Sequence, residues 1–204
     1  MAVCPYLAQV TVPVIIAAYE RMGYRLFTEG DYNVNLFAIR TAENQADTFN
    51  DCIGVLFKIG GNWTLKKYDA TTDPGSYYRL HPMNSRGTAI LAPGQHAGAF
   101  KLGYHQGKYK ALVQNKPLPL YRDNDKDSYI ETDGTARYEI AGINLHRANA
   151  NYKSKLNQKY SAGCLVVADP HDFNELLTIC EKAAQYYGNS FTCTLFTQEQ
   201  VFPS

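Results

Sequence analysis

Apolar and polar positions alternate with period two along much of this chain and follow a helical period near each end. Pro13 to Met22 (PVIIAAYERM) keeps apolar side chains at helical spacing, with proline in the first turn and Gly23 as a stop. Near the other end, Asp169-Pro170 is an N-cap followed by proline at the first helical position. Phe173, Leu176, Leu177, Cys180 and Ala184 then share one face until Gly188 ends the run.

Between these helices the chain reads as short strands: Val34 to Arg40, Cys52 to Ile59, Trp63 to Tyr68, Thr88 to Leu91, Phe100 to Tyr104, Tyr109 to Gln114 and Leu118 to Tyr121. Ile140 to His146, Cys164 to Ala168 and Phe191 to Phe196 complete the set. Gly60-Gly61-Asn62 marks a hairpin, while Asp73 to Gly87 reads as a long connection rich in Tyr, His and Arg. The pattern predicts a mainly β, α+β fold with antiparallel pairing. At 204 residues and 45% hydrophobic content one domain is expected, with residues 1–30 a helical segment and 31–204 the β domain.

Charge removes some functions. Twenty basic residues against nineteen acidic ones leave a formal net charge of +1. That balance provides neither the basic stripe of a nucleic-acid binder nor a polybasic membrane anchor. No segment approaches the ~18 uninterrupted apolar residues of a membrane span. The first residues lack a basic region, and Pro5 and Pro13 interrupt the apolar stretch, so no signal peptide is read and residence in the host cytoplasm before release is expected.

Five cysteines (Cys4, Cys52, Cys164, Cys180, Cys193) form no C-x-x-C pair, which argues against both a disulfide framework and a zinc knuckle. Cys180 falls on the core face of its helix. Asp123, Asp125 and Asp127 resemble half a calcium loop, but Ser128 and Gly134 stand where the turn glycine and the final glutamate belong, so a solvated turn is expected. No metal and no cofactor is expected.

The chemistry concentrates in GINLHRANANYKSKLNQKYSAGCLVV, Gly142 to Val167. One strand ends on His146, and Ser161-Ala162-Gly163-Cys164 opens the next. A thiol with pKa of ~8.5 is a poor nucleophile at neutral pH, and a neighbouring imidazole generates the thiolate. Gly163 frees the backbone to turn an N–H toward a substrate oxyanion, and Ser161 is placed to hydrogen-bond across the turn.

A histidine, fourteen intervening residues and then Ser-x-Gly-Cys resembles the signature of the L,D-transpeptidase catalytic domain, most closely a divergent phage and prophage branch with Ser-Ala-Gly-Cys. The likeness is strong over Gly142 to Val167 and covers Asp31 to Phe196 in outline. It implies a β-sandwich with Cys164 as nucleophile, His146 as base, and Ser161 and Gly163 shaping the turn and oxyanion site. The histidine usual in the family before the glycine is Ala162 here, and Leu165-Val166-Val167 replace an arginine or asparagine after the cysteine. Arg147, Arg122, His105 and Tyr109 are candidates for the lost substrate contact, and the sequence does not choose among them.

What the resemblance implies is acyl transfer on peptidoglycan stem peptides through a Cys164 thioester. The phage-like branch and the absent export signal favour a hydrolytic endolysin over a wall-building transferase. The alternatives are a delivered antibacterial effector of the same fold and a non-catalytic wall-binding module.

Overall fold

A computed structural model of the chain describes residues 4–43, 47–127, 129–132 and 134–203. The first three residues, part of the signal-peptide reading, and Ser128, part of the calcium-loop reading, lie outside these. Helix α1 (Val12–Arg21) starts with Pro13 in its first turn and gives way to Gly23 at φ 65°. Strand β1 (Asn35–Arg40) buries both of its faces: Leu36 and Ala38 turn to one core, Phe37 and Ile39 to a second that α1 covers with Ile15, Ala18 and Tyr19. Strands β2 (Asp51–Ile59) and β3 (Asn62–Thr71) pair Ile59 with Asn62 across Gly60 and Gly61, both at positive φ, which is the two-residue hairpin those glycines permit.

The expected long connection contains a short helix, α2 (Ser76–Leu80). Strands β4 (Thr88–Leu91), β5 (Gly94–His105), β6 (Tyr109–Gln114) and β7 (Leu118–Asp123) follow, then β8 (Arg137–Glu139), which the pattern did not signal. The expected strand over Ile140 to His146 is a correction, because only β9 (Leu145–Arg147) forms. Gly142 sits at φ 73°, off the extended path. The Gln114 side chain supplies what a neighbouring strand would have, accepting from the N–H groups of Ala141 and Ile143 and donating to the Glu139 carbonyl.

Strand β10 (Leu165–Val167) leads through the Asp169 cap into α3 (Pro170–Tyr187), which Gly188 ends. Cys180 is fully buried in that helix's core face. The chain finishes with β11 (Phe191–Thr197) and α4 (Gln198–Val201), the latter opened by a Thr197–Gln200 capping box.

Eight strands close a barrel in the order β1-β11-β5-β6-β9-β10-β3-β2, and β4-β7-β8 form a separate sheet. Pairing is antiparallel apart from β1 with β11 and β9 with β10, which run parallel. The sequence-based expectation of a mainly β fold with a helix toward each end is what the chain shows, and the sheet is closed. Leu145, Leu165 and Val167 share the main core with β4, β7 and one face of α3. The opposite face of β10 carries Cys164, Val166 and Ala168 into a small satellite core with Phe49 and Ala148. No described helix is long and apolar enough to cross a membrane.

Candidate active site

The parallel seam between β9 and β10 positions the candidate pair. Val166 stands in register with His146, and Cys164 precedes Val166 by two residues, so alternation puts thiol and imidazole on the same face, one diagonal step apart. Both are buried, at 8% and 2% exposure. In this resting arrangement the thiol bonds to backbone groups and not to the imidazole: Sγ donates to the Gly142 carbonyl at 3.4 Å and accepts from the Asn144 N–H at 3.4 Å. Burial pushes the Cys164 thiol up to about 11, against the smaller lowering effect of the Asn144 N–H.

Two groups meet the imidazole at Nδ1. Nδ1 lies 2.8 Å from the Arg147 carbonyl. A carbonyl only accepts, so the proton resides on Nδ1 and the lone pair on Nε2. Tyr109 places its hydroxyl 3.1 Å from Nδ1, and the Arg147 guanidinium covers the Tyr109 ring at 4.1 Å. His146 Nε2 is buried with no hydrogen-bond partner among the described residues. A buried lone pair without a partner is uncommon in a settled core, and it is what a general base requires. Burial first, then the neighbouring His105, lowers the His146 imidazole to about 3, so it is neutral at physiological pH.

His105 stacks on His146 with ring centroids 4.1 Å apart. The Gln114 N–H donates to Asn144 Oδ1 at 2.9 Å, which turns the Asn144 NH₂ toward His105 Nδ1, 3.0 Å away. Asn144 thereby touches the thiol through its backbone and the second histidine through its side chain. Sequence reasoning did not single it out, although its place two residues before His146 was available as a signal.

Around the nucleophile, Ser161 Oγ donates to the Cys164 carbonyl at 2.7 Å and accepts from the Gly163 N–H at 3.0 Å. The Gly163 N–H is therefore occupied by Ser161 and is not the N–H that the turn leaves open. The Cys164 N–H makes no hydrogen bond among the described residues and is the donor left for an oxyanion. Gly163 itself is at φ 124°, and a Cβ there would lie 2.4 Å from the Ala89 carbonyl, so the turn admits only glycine.

His105, Tyr109 and Arg147 thus meet at His146, whereas Arg122 belongs elsewhere. It bonds Glu139 at 2.6 Å in the wall of a cleft of about 320 Å³ whose lining includes Ala162. Arg86 joins the same carboxylate.

Among the described residues one group of metal-ligand type occurs, Asp123, Asp125 and Glu131, and neither Cys164 nor His146 belongs to it. Glu131 was not anticipated. The Arg79 guanidinium, within 3.0 Å of Asp123 and 3.3 Å of Asp127, already supplies positive charge beside it. No protein-family model, curated protein or solved structure matches this chain.

Proposed function

We propose that this chain is a cysteine-dependent acyl-transfer enzyme of the L,D-transpeptidase kind, which cleaves stem-peptide or cross-bridge amide bonds of peptidoglycan as a phage-type endolysin. The observation that carries the proposal is the His146 imidazole: Nδ1–H tied to the Arg147 carbonyl, Nε2 bare, and Cys164 on the same sheet face one diagonal step away. The substrate class comes from the resemblance of His146 and Ser161-Ala162-Gly163-Cys164 to that family. We read the closed sheet as the family's sandwich with its two layers joined at both edges.

In this reading the resting pair is neutral. Substrate binding turns the Cys164 side chain from Gly142 toward His146, and Nε2 takes the thiol proton as Sγ bonds to the scissile carbonyl carbon. The Cys164 N–H faces the developing oxyanion. Nε2–H then delivers its proton to the leaving amine as the C–N bond breaks, which leaves a thioester. Water, deprotonated by the same Nε2, releases the acid and restores the thiol; an acceptor amine in place of water gives transfer.

One observation favours a second reading, a wall-binding module without catalysis: the thiol is buried and hydrogen-bonded to Gly142. Mass spectrometry of muropeptides and sacculi after incubation with wild type and Cys164→Ala separates the two. New fragments from wild type alone support the enzyme, and unchanged walls with both proteins, each still sedimenting with sacculi, support the module.

A further inference from the structure

The small sheet carries a concentration of positive charge that the proposed chemistry has not used. The cleft of about 320 Å³ is lined by Arg86, Arg122 and Glu139, with Ala162 on the nucleophile's side. A second cleft of about 280 Å³ shares Arg86 and Arg122 and adds Arg137. Among the described lining residues, three guanidiniums therefore meet one carboxylate, in a chain whose whole net charge is +1.

The three arginines differ in freedom. Arg122 is held by the Gly87 carbonyl at 3.1 Å and Glu139 at 2.6 Å, and is a fixed part of the wall. Arg86 grips both oxygens of Glu139 at 2.8 Å from a half-exposed position. Arg137 is exposed and has no polar partner among the described residues. Glu139 is outnumbered, so the clefts keep an excess of positive charge suited to a planar two-oxygen anion. Met83 and Ile140, 80% and 66% exposed, add an apolar rim to the first cleft.

The position gives this charge a use. Gly163 is pressed against the Ala89 carbonyl, so the turn bearing Cys164 is anchored to the strand that forms part of the cleft wall. Ala162, two residues before Cys164 on that turn, lines the same cleft as Arg86 and Arg122.

We propose that the paired clefts on the β4-β7-β8 sheet bind a carboxylate of the peptide substrate, with Arg137 and Arg86 as the groups that contact it and Arg122–Glu139 as their fixed support. This rests on the peptide acyl-transfer reading of Cys164 and names the feature by which that site selects its substrate. Two carboxylates of a stem tetrapeptide share this chemistry, the C-terminal one on D-Ala and the side-chain one on the diamino acid.

The test is nuclear magnetic resonance titration of Cys164→Ala protein, which cannot turn over, with three probes: the tetrapeptide, its C-terminal carboxamide, and the peptide amidated on the diamino-acid side chain. The expected result is movement of the Gly87, Thr88 and Ala162 amide signals and affinity about tenfold weaker for one of the amides, the value of one charged hydrogen bond. That amide identifies the carboxylate bound. Arg137→Gln should erase the difference, and Arg25→Gln, a charge removed outside the clefts, should leave it intact. Equal affinity for all three peptides overturns the proposal, as does a difference that survives both Arg137→Gln and Arg86→Gln, or inorganic phosphate displacing the peptide at lower concentration than free peptide does. Cys164-dependent cleavage without any effect of amidation overturns the cleft assignment alone. Carboxylate binding without cleavage by the wild type overturns the acyl-transfer reading and leaves the cleft in place.

Discussion

The His105 ring lies on the His146 ring, centroids 4.1 Å apart and planes 30° from parallel. Two imidazoles this close cannot both be charged at modest cost, and burial already disfavours the charge on each. His146 is therefore a base held neutral, ready to accept the thiol proton.

The first prediction concerns that neutrality. Because burial and then His105 hold the folded His146 at about 3, below its ordinary value of 6.5, the unfolded chain binds the extra proton in that window. Stability is full above pH ~6.5 and falls as pH drops toward 3. Nitrogen-detected resonances of His146 should keep Nδ1 protonated and Nε2 bare throughout pH 5 to 8. A midpoint for His146 near 6.5 contradicts this account.

The thiol makes a complementary prediction. With Cys164 raised to about 11, the thiolate fraction at neutral pH is small and grows about tenfold per pH unit. Iodoacetamide labelling of the Cys164 peptide should rise in that way between pH 7 and 9. His146→Ala should leave this slope unchanged, since the resting thiol bonds to Gly142 and Asn144. A labelling plateau at neutral pH that His146→Ala abolishes would reveal a thiolate–imidazolium pair instead.

Much of this fold was legible because its signals are local. Gly60-Gly61, Pro170 and Gly188 each determine the backbone within a few residues, and the elements they bound are where the pattern places them. Barrel closure is different, since β1 lies beside β11 from the opposite end of the chain and no local pattern specifies that parallel seam. The Ile140 to Asn144 segment has an apolar strand-like composition, but the side chain of Gln114, on the adjoining strand β6 yet far away in sequence, takes its hydrogen bonds. The strand pattern put His146 at one strand's end and Cys164 at the next strand's start, but the parallel β9–β10 register that sets them on one face is not a local signal. The partners of each, Arg147's carbonyl and Gly142's carbonyl, are backbone groups that residue identity does not advertise.

Gln114 offers a test of that reading. Gln114→Ala leaves the Ala141 and Ile143 N–H groups and the Glu139 carbonyl without their side-chain partner, a loss of about 2 kcal/mol by denaturant unfolding. Gly142 and Asn144, freed from that strut, should also release the thiol, so Cys164 labels faster at neutral pH. Unchanged stability and labelling would show that the strut is dispensable.

The Ser161–Gly163 turn should be equally intolerant. Ser161→Ala strands the Gly163 N–H and the Cys164 carbonyl and should lower stability by about 1–3 kcal/mol. Gly163→Ala adds a Cβ 2.4 Å from the Ala89 carbonyl at φ 124°, with a comparable or larger loss. Wild-type unfolding midpoints for both variants would exclude this description of the turn.

The most direct measurement is peptide mapping of protein quenched in acid during incubation with muropeptides. The Cys164 peptide should gain the mass of the acyl donor less the leaving amine, hydroxylamine should remove it, and His146→Ala should fail to accumulate it. Cleaved muropeptides with Cys164 unmodified at every time point and Cys164→Ala still active would contradict a Cys164 thioester.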